Sequence, residues 1–118
     1  FAQSIACEIH PLQNLRVQEF ITEEFNQDST QIDKWLKKWL GGGLVACEEM
    51  MKNQNETSDF CFGDHPSLAD ICLVPQIFSA KRFNVDLSEM PILMKIFNNC
   101  SSLKAFKDAH PENQPDAE

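Results

Sequence analysis

Apolar residues recur along this chain at three- and four-residue steps, and no stretch shows the alternation of a half-buried strand. From Phe1 to Phe25, Ala2, Ile5, Ile9, Leu12 and Leu15 keep helical spacing. Pro11 interrupts that pattern and predicts a kink, because its ring removes the bond to the Cys7 carbonyl and leaves local backbone groups free. Asn26–Thr30 reads as a break, with Thr30 and Asp33 as a capping box for the next helix. There Ile32, Trp35, Leu36, Trp39, Ala46 and Met50 form an apolar stripe, while Lys34, Lys37, Lys38, Glu48 and Glu49 mark the wet side. Gly41, Gly42 and Gly43 imply either a break or a closely packed neighbour. The stripe keeps phase across them, which favours one continuous helix.

Lys52 to Asp59 is polar and loop-like, and Phe60 and Phe62 lead into the stretch around which the chain is organised. Ser67 and Asp70 form a second capping box, with Pro66 and Ile71 spaced as a hydrophobic staple. The run from Ile71 to Phe78 has almost no polar face, which predicts a helix buried in the middle of the domain. Pro91 then suits the first turn of a helix through Ile92, Leu93, Ile96 and Phe97. Leu103 to Ala109 reads as a short last helix, and the residues from Pro111 onward as an extended or frayed tail. The expected fold class is an all-α bundle of about five helices, and residues 1–118 form one domain.

Composition narrows the function. The chain has 118 residues, 42% of them hydrophobic, enough to close a core without metal or disulfides. Asp and Glu number 18 against 10 Lys and Arg, a formal charge of −8, which disfavours nucleic-acid partners. No segment has the length of a membrane span, and the N-terminal residues lack the flanks of a signal peptide. A cytoplasmic location is therefore expected, with the five scattered cysteines as reduced, mostly buried thiols. Cys7 and His10 have half-site metal spacing with no second pair, so no metal is expected. Asn55-Glu-Thr57 and Asn99-Cys-Ser101 match glycosylation acceptors, which carry no meaning in the cytosol.

A series of matches in order gives a resemblance. Phe60-Cys-Phe-Gly-Asp-His-Pro-Ser-Leu-Ala-Asp, Leu73-Val-Pro-Gln and Lys81-Arg-Phe-Asn-Val-Asp-Leu resemble the second half of a zeta-class glutathione transferase. The likeness reaches back to Ile9-His-Pro-Leu-Gln-Asn-Leu and forward to His110-Pro-Glu-Asn-Gln-Pro-Asp. It covers nearly the whole chain but not the family's N-terminal thioredoxin-like domain.

The candidate residues divide accordingly. His10 sits at the expected kink, where it is either satisfied locally or free to donate to a ligand. The resemblance implies the second, with His10, Gln13 and Asn14 bordering glutathione. Arg16 and Arg82 are the only arginines, and their guanidinium forks match carboxylates bidentately. On sequence alone each is also a candidate for a surface salt bridge. Arg82, at the end of an apolar helix, is expected to have a packed stem and a guanidinium aimed at a gap. The resemblance implies that Arg82, with Arg16, holds a small dicarboxylic substrate.

The nucleophile would be the thiolate of glutathione, stabilised by the N-terminal domain, in a cis–trans isomerisation of aromatic amino-acid breakdown. A homodimer is expected, and no catalytic residue in this part. Ser67 and Asp70 are expected to be structural. The alternative is a free-standing helical interaction module of the same fold.

Overall fold

The computed structural model describes residues 1–54 and 58–117. The acceptor pattern at Asn55 to Thr57 lies outside them. Among the described residues every regular element is helical, as the spacing predicts. A first π turn, Ser4–Ile9, runs into α1, His10–Gln13, and then α2, Leu15–Glu24. A long rod comes next, made of α3, Ser29–Leu36, a second π turn, Lys37–Gly41, and α4, Gly42–Lys52. After a loop come α5, Leu68–Arg82, α6, Pro91–Ser102, and the short α7, Lys104–Asp108.

Pro11 acts before it is reached. Its ring opposes the carbonyl four residues back, and the chain widens there, with the His10 N–H donating to Ile5 O, five residues away. The helix then breaks at Asn14, with ψ at 143°. The Leu12 carbonyl left at this break accepts the Trp35 indole N–H at 2.7 Å, which ties α1 to α3.

The second rod is continuous, as expected, but its start and its buried face both differ from the sequence reading. Asp28 is the cap, in extended backbone, and its carboxylate accepts from the Gln31 N–H at 3.2 Å. Thr30 and Asp33 therefore lie inside the helix and form no box. The buried positions are Leu36, Leu40, Gly41, Leu44, Cys47, Glu48 and Met51. Trp39, Ala46 and Met50 face outward instead. The extra residue of the π turn rotates the downstream residues by about 100°, which moves the stripe and carries Glu48 inside. Gly43 meets the first π turn so closely that a Cβ there would stand 2.5 Å from Ile9 Cγ1. A larger residue there would require the buried Ile9 side chain to shift.

α5 packs against α6 and the first π turn. Leu73, Ile77 and Ala80 are fully buried, yet Leu68 and Ile71 are 68% and 59% exposed. The helix is apolar all round but covered on one side only, since Ile71 stands about 200° around the axis from Leu73. The staple does not form either, because Pro66 and Ile71 are both exposed.

The tail also departs from expectation. It makes a short 3₁₀ turn, Pro111–Asn113, held by the Asn113 amide donating to Lys107 O at 2.6 Å. The Gln114 amide donates to Asp108 O at 2.9 Å, and His110 packs edge-on against Phe78 of α5.

Candidate functional site

Polar side chains gather at the N-terminus of α5, at the break between α1 and α2, and where α4 meets α6. The first place is the N-terminus of α5, where a capping box forms. Asp70, fully buried, takes the Ser67 N–H and hydroxyl on Oδ2 at 2.8 and 2.7 Å. Its Oδ1 takes the Cys61 N–H at 2.8 Å and the Cys100 thiol at 3.7 Å. Burial alone would raise its pKa, but the donors from Cys61 and Ser67 outweigh that and hold it below the ordinary carboxylate value. The thiols around it move the other way. Burial first, and the Asp70 charge second, push Cys100 up to about 12 and raise Cys61 as well. Burial pushes Cys47 up to about 11. These are inert thiols, and only Cys7 is fully at the surface.

The second place is the break between α1 and α2. His10 is exposed there, and Gln13 Nε2 lies 3.4 Å from its Nδ1. Gln13 is only 7% exposed, and its Oε1 has no hydrogen-bond partner. The Gln13 carbonyl accepts from the Gln18 amide at 2.7 Å. Asn14 caps α2 by accepting the Arg16 N–H at 3.2 Å. His10, Gln13, Asn14 and Arg16 are thus brought together at one helix end, where the helix dipole favours an anion although Asn14 already accepts the Arg16, Val17 and Gln18 N–H groups.

Arg82 is not brought to them by any packed pair of elements. It ends α5, while α2 packs on α1 and α3. It is exposed rather than held by a packed stem, because α5 turns its covered side away at that point. Among the described residues, neither the Arg16 nor the Arg82 guanidinium is paired with a carboxylate.

Sequence reasoning missed Glu48. It is 1% exposed, and its two carboxylate oxygens accept the Ile92 and Leu93 N–H groups at 3.1 and 2.9 Å. A buried acid on α4 therefore caps α6 from another element. A signal was present in the chain: Pro91 opens a helix after Met90, which has no side-chain acceptor, so the free N–H groups need a partner from elsewhere. Trp35, which holds the Leu12 carbonyl, was also read only as core.

Residues 17–104 match the glutathione S-transferase C-terminal domain family. The chain belongs to that family, an all-α class of domain. Its similarities are more particular than the class. It is 38% identical over 116 residues to a probable maleylacetoacetate isomerase of Vibrio cholerae, covering 98% of this chain and 53% of that protein. It is 39% identical over 115 residues to the maleylacetoacetate isomerase of Pseudomonas aeruginosa, covering 98% and 52%. Among solved structures, a maleylpyruvate isomerase described as a bacterial zeta-class glutathione transferase superposes with a TM-score of 0.96 at 38% identity, over 99% of this chain and 55% of that one. The maleylacetoacetate isomerase of Anaeromyxobacter dehalogenans, solved with glutathione in its active site, gives 0.89 at 33%, covering 99% and 52%. The chain spans about half the length of the curated relatives it matches.

Proposed function

We propose that this chain is the substrate-binding helical domain of a glutathione-dependent cis–trans isomerase of the zeta class. In this reading it works with a thioredoxin-like N-terminal domain of the same protein, in a cytoplasmic homodimer, in tyrosine and phenylalanine breakdown. The likeness to isomerases over nearly the whole chain carries the proposal. The break between α1 and α2 supports it, because an exposed imidazole, a buried unpartnered amide oxygen and a helix N-terminus suit a peptide with carboxylate ends.

Glutathione fits those donors and acceptors, and when bound it supplies a thiol that can add reversibly to a conjugated cis double bond. The residues of this chain do the positioning. His10 offers a ring nitrogen and Gln13 its free Oε1, while Asn14, whose Oδ1 caps α2, has its amide NH2 left to donate. Arg82 would hold one carboxylate of a maleyl-type substrate, leaving the other end free to swing as the bond between them turns, and Arg16 offers a second fork to a carboxylate on the α2 side. Charge spread toward the carbonyls would be met by the same guanidinium groups.

The test is an assay of the full-length protein with maleylacetoacetate or maleylpyruvate, with and without glutathione. Isomerisation that depends on glutathione is expected. Its absence with both substrates in a folded protein would leave the family membership standing and remove the activity.

A further inference from the structure

The helix α2 is built unlike its neighbours. It is ten residues long and has no buried residue, whereas α4, α5 and α6 each bury several. Val17, Gln18 and Ile21 are its half-covered side. The outer side carries Glu19, Phe20, Glu23 and Glu24, all exposed.

Phe20 and Phe25 are 55% and 59% exposed, and their rings meet edge to face at 5.6 Å and 89°. The turn that ends the helix fixes this pair. The Phe25 N–H donates to Ile21 O at 3.3 Å, Asn26 takes the left-handed conformation at a φ of 49°, and the Gln27 amide donates to Phe25 O at 2.6 Å. Two rings held side by side at the surface offer apolar area at little entropic cost to whatever covers them. The charge around them is nearly of one sign. Among the described residues Glu19, Glu23 and Glu24 make no ion pair, and the only cation of α2 is Arg16, one turn before Phe20.

We propose that the outer side of α2, together with Phe25, is a docking surface for a basic amphipathic helix of a partner protein. The apolar row of the partner covers Phe20 and Phe25, and lysines or arginines beside that row meet Glu19, Glu23 and Glu24. Charge decides against other occupants. A second copy meeting this surface about a two-fold axis would set the same carboxylates face to face, and an anionic lipid surface or a nucleic acid would be repelled. A helix of this length offers a small face, so the contact is a transient one. The surface lies at the far end of α2 from the α1–α2 break and does not depend on the isomerase reading.

The experiment is a fluorescence anisotropy titration of the full-length protein into a labelled helical peptide of leucine and lysine, with a leucine and glutamate peptide of the same pattern as control. The lysine peptide is expected to bind and the glutamate peptide not to. Phe20→Ser/Phe25→Ser and Glu19→Lys/Glu23→Lys should each weaken the lysine peptide roughly tenfold. Asp64→Lys/Glu89→Lys, an equal change of charge at two other exposed carboxylates, should weaken it less than about twofold. Equal losses in the two charge variants, or no loss in the phenylalanine variant, would overturn the proposal, because the peptide would then be drawn to acidic surface in general. Both rings are exposed, so the thermal midpoint of the phenylalanine variant should match wild type. A lower midpoint would overturn the proposal by assigning this face to another part of the same protein, and loss of self-association in that variant would do so by assigning it to a second copy.

Discussion

Asp70 with its donors and the break at His10–Asn14 are built from similar atoms, yet they end in opposite states. Around Asp70 each carboxylate oxygen has two donors, and the groups close on one another. At the break, Gln13 Oε1 is buried and unpartnered, and the His10 ring and Arg16 face outward. A saturated buried network stabilises a fold and has nothing left to offer a ligand. An unsaturated one costs stability and keeps its acceptors and donors available. The contrast separates residues that hold the bundle from residues that can bind.

Substitution can break that comparison. Asp70→Ala orphans the Cys61 and Ser67 N–H groups and should destabilise the protein by about 3 kcal/mol, read as a lower thermal midpoint. Its pH signature has a definite sign. The folded pKa of Asp70 lies below the unfolded value near 3.8. Its contribution is therefore complete above about pH 4 and lost as pH falls through the folded value. Wild type should lose stability in that acid range more steeply than Asp70→Ala.

Glu48→Ala removes a cap from α6 and should cost about 2 kcal/mol. Glycines in the rod divide in sign. Gly43→Ala drives a Cβ toward Ile9 and should destabilise by about 1–2 kcal/mol. Gly42→Ala meets open space and should stabilise by up to about 1 kcal/mol. Gln13→Leu removes an unpartnered amide oxygen together with a long 3.4 Å contact to His10 and should change stability by less than about 0.5 kcal/mol, while raising the KM for glutathione. A large loss of stability there would erase the contrast with Asp70. Native alkylation sharpens the same division: Cys7 should react first, and Cys47, Cys61 and Cys100 only on unfolding, because burial keeps them protonated.

The range of each interaction decides how legible it was in the sequence. The Ser67–Asp70 box spans three residues, so local spacing reveals it, as it does the helices and the continuity of the glycine-bearing rod. Motif resemblance pointed to the residues at the α1–α2 break, and the structure brings them to one helix end. Glu48 was read as wet because its partners lie 44 and 45 residues away and a π turn shifts its face. The Asp28 cap was missed because the Thr30/Asp33 pattern fits the same rule two residues later. Pro66 and Ile71 have staple spacing without the covering side that would make it useful.

The central claim is that this domain holds a dicarboxylic substrate through its arginines, and Arg82 tests it most directly. The measurement is kcat and KM for glutathione-dependent isomerisation by the full-length protein, comparing wild type with Arg82→Lys and Arg82→Ala. Arg82 is exposed and has no carboxylate partner among the described residues, so neither variant should alter the fold. The account predicts a loss in kcat/KM worth roughly 2–4 kcal/mol in Arg82→Ala, with a smaller loss in Arg82→Lys, which keeps the charge without the fork. Wild-type kinetics in Arg82→Ala would contradict it and leave Arg82 a surface residue with no part in recognition.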